Sequence, residues 1–139
     1  MVHSFNYTVE FEDVDMDGMV HHHKIACYIE RAVVHCYQDN LKVRIKTENY
    51  LIVLSTLTLK CISPITMSDK PRVELRAIRL GRVTMEWEAR VTDPQTQRLC
   101  AFANIKHACI DADSFRPLGW PLTVRAVLEN EVRVEAPVQ

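Results

Sequence analysis

The chain has 139 residues, of which 47% are hydrophobic and 25% are charged, and its formal net charge is −1. These values are typical of one globular domain covering residues 1–139, and they exclude general disorder and a low-complexity chain. The balanced charge argues against a nucleic-acid partner, and the absence of an apolar run of about 18 residues argues against a membrane span.

The first third of the chain predicts a strand, an acidic turn and a long helix. Residues 5–11 alternate apolar and polar side chains, and this period of two predicts a strand. Residues 12–18 are acidic and predict a turn. From about His22 to Gln38 the apolar residues recur at helical spacing, which predicts one long amphipathic helix.

The remainder predicts four strands and a short helix. Strands are expected over residues 50–61, 72–80, 83–91 and 99–110, although Ala77-Ile78 interrupts the alternation in the second of them. Pro121 is a suitable first residue for a short helix after the last strand. The order predicts an α+β fold, in which the four later strands form an antiparallel meander and one helix packs on a five-stranded sheet.

Acidic side chains, a glycine and consecutive histidines are concentrated between residues 12 and 23, directly before the predicted helix. The unpaired N–H groups and the dipole at a helix N-terminus stabilise negative charge, including a developing oxyanion. A nearby carboxylate can act as general base or nucleophile. Spacing alone leaves two interpretations open: a catalytic loop, or a solvated turn in which Asp13, Asp15 and Asp17 only cap the helix.

Two blocks of this region carry a resemblance to a known family. Residues 11–22 read FEDVDMDGMVHH, and residues 28–32 read YIERA. Together they resemble the signature of hotdog-fold thioesterases, within the group of 4-hydroxybenzoyl-CoA thioesterases and YbgC-like acyl-CoA thioesterases. The resemblance implies a hotdog fold, in which one long central helix is wrapped by a five-stranded antiparallel sheet.

Carried over by position, the resemblance implies roles for individual residues. The family's catalytic carboxylate corresponds to Asp15, the second acid of the Asp-x-Asp pair. The backbone N–H that polarises the thioester oxygen corresponds to that of His22, whose imidazole also matches a histidine of the family. Gly18 matches a glycine that lets the backbone pass close to the acyl group. The substrate-binding residues implied by the resemblance are Gly18, Met19, Val20, His21 and His23.

The resemblance also implies a reaction and its partners. The expected activity is hydrolysis of an acyl-CoA or acyl-carrier-protein thioester, with coenzyme A as part of the substrate and no metal or other cofactor. Hotdog domains pair across a two-fold axis, so a homodimer or homotetramer is expected. The departures from the family pattern at Asp17, His21 and 23–25 leave the acyl group open. Two alternatives remain: a carrier-protein-dependent thioesterase of a polyketide or aromatic biosynthetic pathway, and a non-catalytic acyl-ligand-binding protein.

Other histidines and cysteines suggest simpler roles. Adjacent residues of a helix point about 100° apart, so residues 21–23 are poorly placed to ligate one metal ion together. His107 is expected to be an interior residue with its hydrogen bonds satisfied. The five cysteines include no Cys-x-x-Cys pair and lie in apolar stretches, which predicts buried reduced thiols. With an N-terminus that lacks the features of a secretory signal, they predict a cytoplasmic protein.

Overall fold

The computed structural model describes residues 2–135 of the chain. Over these residues it contains five strands, two α-helices and two short helical turns. The bounds are β1 His3–Asn6, α1 His22–His35, β2 Tyr50–Cys61, β3 Arg72–Leu80, β4 Thr84–Asp93, β5 Arg98–Asp111 and α2 Leu122–Glu135. Neither α1 nor α2 has the length and apolar character that a helix needs to cross a membrane.

The strands form one sheet in the order β1-β3-β4-β5-β2, with every neighbouring pair antiparallel. This confirms the predicted α+β class and the five-stranded antiparallel sheet. The predicted meander is wrong in one respect, because β2 pairs with β5 rather than with β3. The connecting segment 62–71 contains Pro64 and Pro71, and it is too long for a tight hairpin. It crosses the sheet from the edge strand β2 to β3, which lies next to the opposite edge strand β1.

The core lies between α1 and the inner face of the sheet. Ile29, Ala32 and Val33 of α1 have no exposed surface, and neither has Trp87 of β4. The Trp87 indole Nε1–H donates a 3.0 Å hydrogen bond to the hydroxyl of Tyr37, so the buried indole has an acceptor. Tyr37 belongs to a π-helical turn, Cys36–Asn40, that continues α1 directly. The helix predicted to end near Gln38 is therefore confirmed.

The sequence predicts the irregularity in β3 correctly, but it overestimates the length of β1. The register of β3 shifts between Ala77 and Arg79, which confirms the interruption predicted at Ala77-Ile78. The predicted strand 5–11 is shorter than expected, because β1 ends at Asn6. Beyond it the Tyr7 N–H donates to the carbonyl of Pro71, and Phe11–Asp13 form a 3₁₀ turn. The alternation of residues 7–11 therefore does not reflect sheet pairing.

The C-terminal helix is longer than the short helix predicted to begin at Pro121. α2 has 14 residues, as many as α1. It buries Val124, Leu128 and Glu131, which recur at helical spacing on one face. Glu131 pairs with the His3 imidazole of β1. A charged residue at a buried position ends the apolar periodicity, so the sequence pattern underestimates the length of α2.

Candidate active site

The acidic segment folds into a small hairpin immediately before α1. Val14 and Val20 form an isolated antiparallel bridge, and the Asp15 N–H donates to the Met19 carbonyl at 2.8 Å. Gly18 closes the turn with φ +78°, a conformation that L-residues with a side chain rarely adopt. No heavy atom lies within 4 Å of the position that a Cβ of Gly18 would occupy. Within this chain, backbone conformation rather than space therefore accounts for the glycine.

The carboxylate of Asp15 has one occupied and one open oxygen. Its Oδ1 accepts hydrogen bonds from the N–H groups of Asp17 at 2.9 Å and Met19 at 3.1 Å. Its Oδ2 accepts no hydrogen bond from the part of the chain that the structure describes. The side chain is exposed. Asp15 thus holds the turn through one oxygen and can accept a proton or attack a carbonyl through the other.

Asp13, two residues earlier, has a different environment. It is only 5% exposed, and its Oδ2 accepts hydrogen bonds from the Tyr28 hydroxyl at 2.6 Å and the Glu10 N–H at 2.9 Å. Lys24 Nζ lies 3.7 Å from its Oδ1. Burial raises the pKa of Asp13, but these hydrogen bonds and the Lys24 charge outweigh burial and hold that pKa below its usual value. Within residues 2–135, no N–H at the start of α1 donates to the Asp13 side chain, so the predicted helix-capping role is wrong for Asp13, which is held by Tyr28, Glu10 and Lys24 instead. In Asp15, by contrast, one carboxylate oxygen stays open.

The N-terminus of α1 supplies unpaired backbone donors. His21 is the N-cap residue and makes no side-chain capping hydrogen bond. Its carbonyl accepts from the N–H groups of Lys24 at 2.9 Å and Ile25 at 3.2 Å, and its own N–H donates to the Asp13 carbonyl. Within residues 2–135, the N–H groups of His22 and His23 have no acceptor. Such free N–H groups are suited to bind an anionic oxygen.

A cleft of about 380 Å³ joins the hairpin to the helix end. Its lining comes from the hairpin, the first turn of α1, the end of β2 and the start of the crossing segment: Asp15, Met19, Val20, His21, His22, Ile25, Cys61, Ile62, Ser63, Pro64 and Ile65. The structure thus brings together Asp15 and His22 with three of the predicted substrate-binding residues. Gly18 and His23 lie outside this lining.

Sequence reasoning missed the wall formed by residues 61–65. Main-chain contacts attach this wall to the hairpin: the Val20 N–H donates to the Ile65 carbonyl at 2.8 Å, and Met19 forms a bridge with Thr66. The Ser63-Pro64 break after β2 was the available signal, because it ends the strand where the chain turns toward α1. Nothing local in the sequence indicates which segment it would contact.

A profile of the Thioesterase-like superfamily matches residues 9–130. The chain belongs to this superfamily. The acyl-CoA thioesterase YbgC of Haemophilus influenzae is 23% identical to it over 130 residues, covering 91% of this chain and 94% of the relative.

Solved structures share the fold of this superfamily member. A 1,4-dihydroxy-2-naphthoyl-CoA thioesterase from Synechocystis matches with a TM-score of 0.84 at 13% identity, over 94% of this chain and 97% of that one. A Staphylococcus aureus protein determined in complex with CoA matches with a TM-score of 0.83 at 12% identity, over 100% of this chain and 89% of that one. The fold of this chain is therefore the hotdog fold that its resemblance implied.

The histidines of this thioesterase-like chain lie close together at the helix end. The ring of His23 stacks on that of His21 at 5.0 Å and meets that of His22 edge-on at 6.1 Å. The described residues contain no group of three or more histidine, cysteine or acidic side chains placed to hold a metal ion.

The predicted burial of the cysteines is confirmed for three of five. Cys36, Cys100 and Cys109 are buried, and burial raises the pKa of the Cys36 thiol to about 12. Cys27 and Cys61 are exposed, contrary to the prediction. Cys27 lies on the outward side of α1, and Cys61 is the last residue of an edge strand. Cys61 also lines the cleft, a position that its strand pattern did not reveal.

His107 is buried as predicted, but its hydrogen bonding is incomplete. Its Nε2 lies 3.5 Å from Glu30 Oε2, and the Tyr37 ring packs edge-on against it at 5.7 Å. Within the described part of the chain, His107 Nδ1 and Glu30 Oε1 have no hydrogen-bond partner. The prediction of a satisfied interior histidine is therefore correct for location and wrong for its hydrogen bonds.

Proposed function

We propose that this thioesterase-like chain hydrolyses acyl-CoA thioesters to a free carboxylic acid and coenzyme A. The observation that carries the proposal is a single cleft lined by both Asp15 and His22. The proposal is further supported by the relative named as an acyl-CoA thioesterase and by the structural neighbour determined with CoA. We propose no metal or cofactor, because a carboxylate and free N–H donors are sufficient for thioester hydrolysis.

Asp15 supplies the reactive carboxylate through its open oxygen. It accepts a proton from a water molecule that attacks the thioester carbonyl, or it attacks the carbonyl itself and forms an anhydride that water then hydrolyses. In both courses the C–S bond breaks, and the thiolate leaves and takes up a proton. The products are the acid and the thiol of coenzyme A.

His22 supplies the donor for the developing negative charge. As the carbonyl carbon becomes tetrahedral, its oxygen gains charge, and the free N–H at the first position of α1 donates a hydrogen bond to it. The helix dipole adds to this stabilisation. Neither contribution depends on the imidazole, so the backbone position rather than the side chain of His22 has the main role.

The acyl group lies against the apolar part of the lining. The apolar side chains of the lining are those of Ile25 from α1, Ile62 and Ile65 from the crossing segment, and Met19 and Val20 from the hairpin. Ile62 and Met19 are 49% and 43% exposed, so they have apolar surface available for a ligand. We therefore propose an acyl group with a predominantly apolar body.

The proposal is tested by thiol release from CoA esters with short, medium and long acyl groups and with benzoyl and phenylacetyl groups. Asp15→Asn keeps an oxygen that accepts from Asp17 and Met19, so the hairpin is retained while the base is lost. We expect kcat to fall by about 10²–10⁴-fold. Asp17→Asn is the matched control, because the Asp17 side chain makes no hydrogen bond to the described residues, and we expect a change of less than about threefold.

Three outcomes separate the alternatives. A folded Asp15→Asn protein with full activity would contradict the proposed mechanism. Hydrolysis of an acyl-carrier-protein thioester, with no turnover of any CoA ester, would favour the carrier-protein-dependent enzyme. Tight binding of acyl-CoA by the wild type without release of thiol would favour a binding protein.

A further inference from the structure

The carboxylate of Asp69 organises a turn in the crossing segment. Its Oδ2 accepts hydrogen bonds from the Thr66 N–H at 2.8 Å and the Thr66 hydroxyl at 3.2 Å, and the Asp69 N–H donates to the Thr66 carbonyl at 3.0 Å. Arg98, the first residue of β5, donates from Nη2 to the same oxygen at 3.1 Å. Three donors on two elements therefore converge on one carboxylate oxygen.

Main-chain contacts join this turn to the hairpin of the candidate active site. Thr66 forms an antiparallel bridge with Met19, and the neighbouring Ile65 carbonyl accepts from the Val20 N–H at 2.8 Å. Met19 donates its N–H to Asp15 Oδ1 at 3.1 Å and accepts the Asp15 N–H at 2.8 Å. A path of main-chain contacts therefore runs from the Thr66 turn, through the hydrogen bond between Ile65 and Val20, to Met19 and the carboxylate of Asp15.

We propose that Asp69 is a positioning residue for Asp15. Asp69 does not line the cleft, so it acts through Thr66 and Met19 rather than on the substrate. The catalytic consequence rests on the proposed function, whereas the coupling of Asp69 to the hairpin does not. Without the Asp69 carboxylate, the Thr66 N–H and hydroxyl lose their acceptor, and the turn that supports Met19 loosens. Asp15 then leaves the geometry in which it and His22 line one cleft.

The charge state of Asp69 suits this role. Burial raises the pKa of Asp69, but the hydrogen bonds from Thr66 and the guanidinium of Arg98 outweigh burial and hold the pKa below its usual value. The carboxylate is therefore ionised at neutral pH, and its hydrogen bonds have the greater strength of charge-assisted contacts.

Asp111 provides a matched control. Its Oδ1 accepts hydrogen bonds from the N–H groups of Asp113 and Ser114, both at 2.9 Å, so it organises a turn in the same manner. It lies at the end of β5 opposite to Arg98, and its register partner is Tyr50 at the start of β2. No hydrogen bond in residues 2–135 connects that turn to the Asp15 hairpin.

The first test is amide hydrogen exchange of the wild type, Asp69→Ala, Asp69→Asn and Asp111→Ala. We expect exchange at Met19 and Val20 to be about tenfold faster in Asp69→Ala and to be intermediate in Asp69→Asn, which keeps a neutral acceptor. Asp111→Ala should exchange at the wild-type rate at these amides. Amides of β4 report whether each variant is folded, and Arg98→Met replaces Asp69→Ala if that variant unfolds.

The second test is the split between kcat and KM. We expect kcat of Asp69→Ala to fall by about 10–100-fold with KM changed less than about threefold, because displacement of a reacting group by about 1 Å has effects of this order. Equal exchange of the hairpin in Asp69→Ala and Asp111→Ala would overturn the inference, whether or not the chain hydrolyses thioesters. Faster hairpin exchange with unchanged kcat would also overturn it. A wild type without thioesterase activity, but with exchange coupled to Asp69, would support the coupling and contradict the proposed function instead.

Discussion

The Tyr28 hydroxyl donates a 2.6 Å hydrogen bond to Asp13 Oδ2 and thereby ties α1 to the segment that precedes it. The ring of Tyr28 also stacks on that of Tyr7 at 5.6 Å. Because of this contact, the two acids of the Asp-x-Asp pair have different environments. Asp13 is buried and anchors the hairpin to the helix, while Asp15 lies exposed in the cleft.

This contact predicts a pH-dependent loss of stability in Tyr28→Phe. A hydrogen bond to a charged group contributes about 1.5–3 kcal/mol, so we expect a decrease of that order in the free energy of unfolding at pH 7. Because the pKa of Asp13 is lowered in the folded state, its contribution is present above the unfolded pKa of about 4 and is lost as the pH falls through the folded value. Urea denaturation of the wild type and of Tyr28→Phe at pH 7 and at pH 3 measures the loss of stability and its dependence on pH.

Tyr50→Phe is the control for that measurement. The Tyr50 hydroxyl donates to the uncharged carbonyl of Arg44 at 2.9 Å, so its loss should cost about 1 kcal/mol with no carboxyl titration involved. The same dependence on pH in both variants would show that Asp13 is not the group responsible.

Gly18 is expected to be required for its backbone conformation. Gly18→Ala should destabilise the protein by about 1–2 kcal/mol, and Gly18→Asn by less, because asparagine adopts a positive φ more readily. Gly119 offers a comparison, since its φ is not positive and a Cβ there would meet no atom closer than 3.8 Å. Thermal unfolding of the three variants measures the difference. Equal stability of Gly18→Ala and Gly119→Ala would contradict this account.

Cys61 makes the cleft sensitive to alkylation. Cys27 and Cys61 are exposed, whereas burial keeps the other three thiols from solvent. In a Cys27→Ser protein, iodoacetamide should modify Cys61 and reduce thioesterase activity at least about tenfold, because the adduct occupies the cleft. In a Cys61→Ser protein, modification of Cys27 should leave activity unchanged. Mass spectrometry measures the extent of labelling, and full activity of a protein labelled at Cys61 would refute the prediction.

The edge strand β2 predicts self-association. Among the described strands it pairs only with β5, apart from a bridge between Leu51 near its start and Lys46, and Leu54 on it is 45% exposed. Long edge strands that expose apolar side chains are usually covered, often by another chain. We propose a homodimer or homotetramer and expect light scattering to give at least twice the chain mass. Leu54→Lys should shift the equilibrium toward monomer, while Leu122→Lys, 86% exposed on α2, should not. A monomeric wild type at micromolar concentration would contradict this.

Local patterns in the sequence account for the elements of the fold. Strands β2 to β5 and helix α1 lie in the segments where the spacing of the apolar residues predicts them. Burial of one face imposes a spacing of two residues on a strand and of about 3.6 residues on a helix. The acidic hairpin was likewise recognisable, since its acids and Gly18 serve a turn that involves only neighbouring residues. The family resemblance of this short segment extends to the whole fold.

Contacts between distant segments were decided only by the tertiary structure. The pairing of β2 with β5, the wall of the cleft at 61–65 and the path from Asp69 to Asp15 all join residues far apart in the chain. Asp13 and Asp15 are the same residue type two positions apart, yet their roles differ because Tyr28 reaches one of them. Periodicity reports which face of an element is buried, but it does not report what that face meets. The segment that each face packs against, and therefore the set of side chains that form the site, is a property of the folded chain.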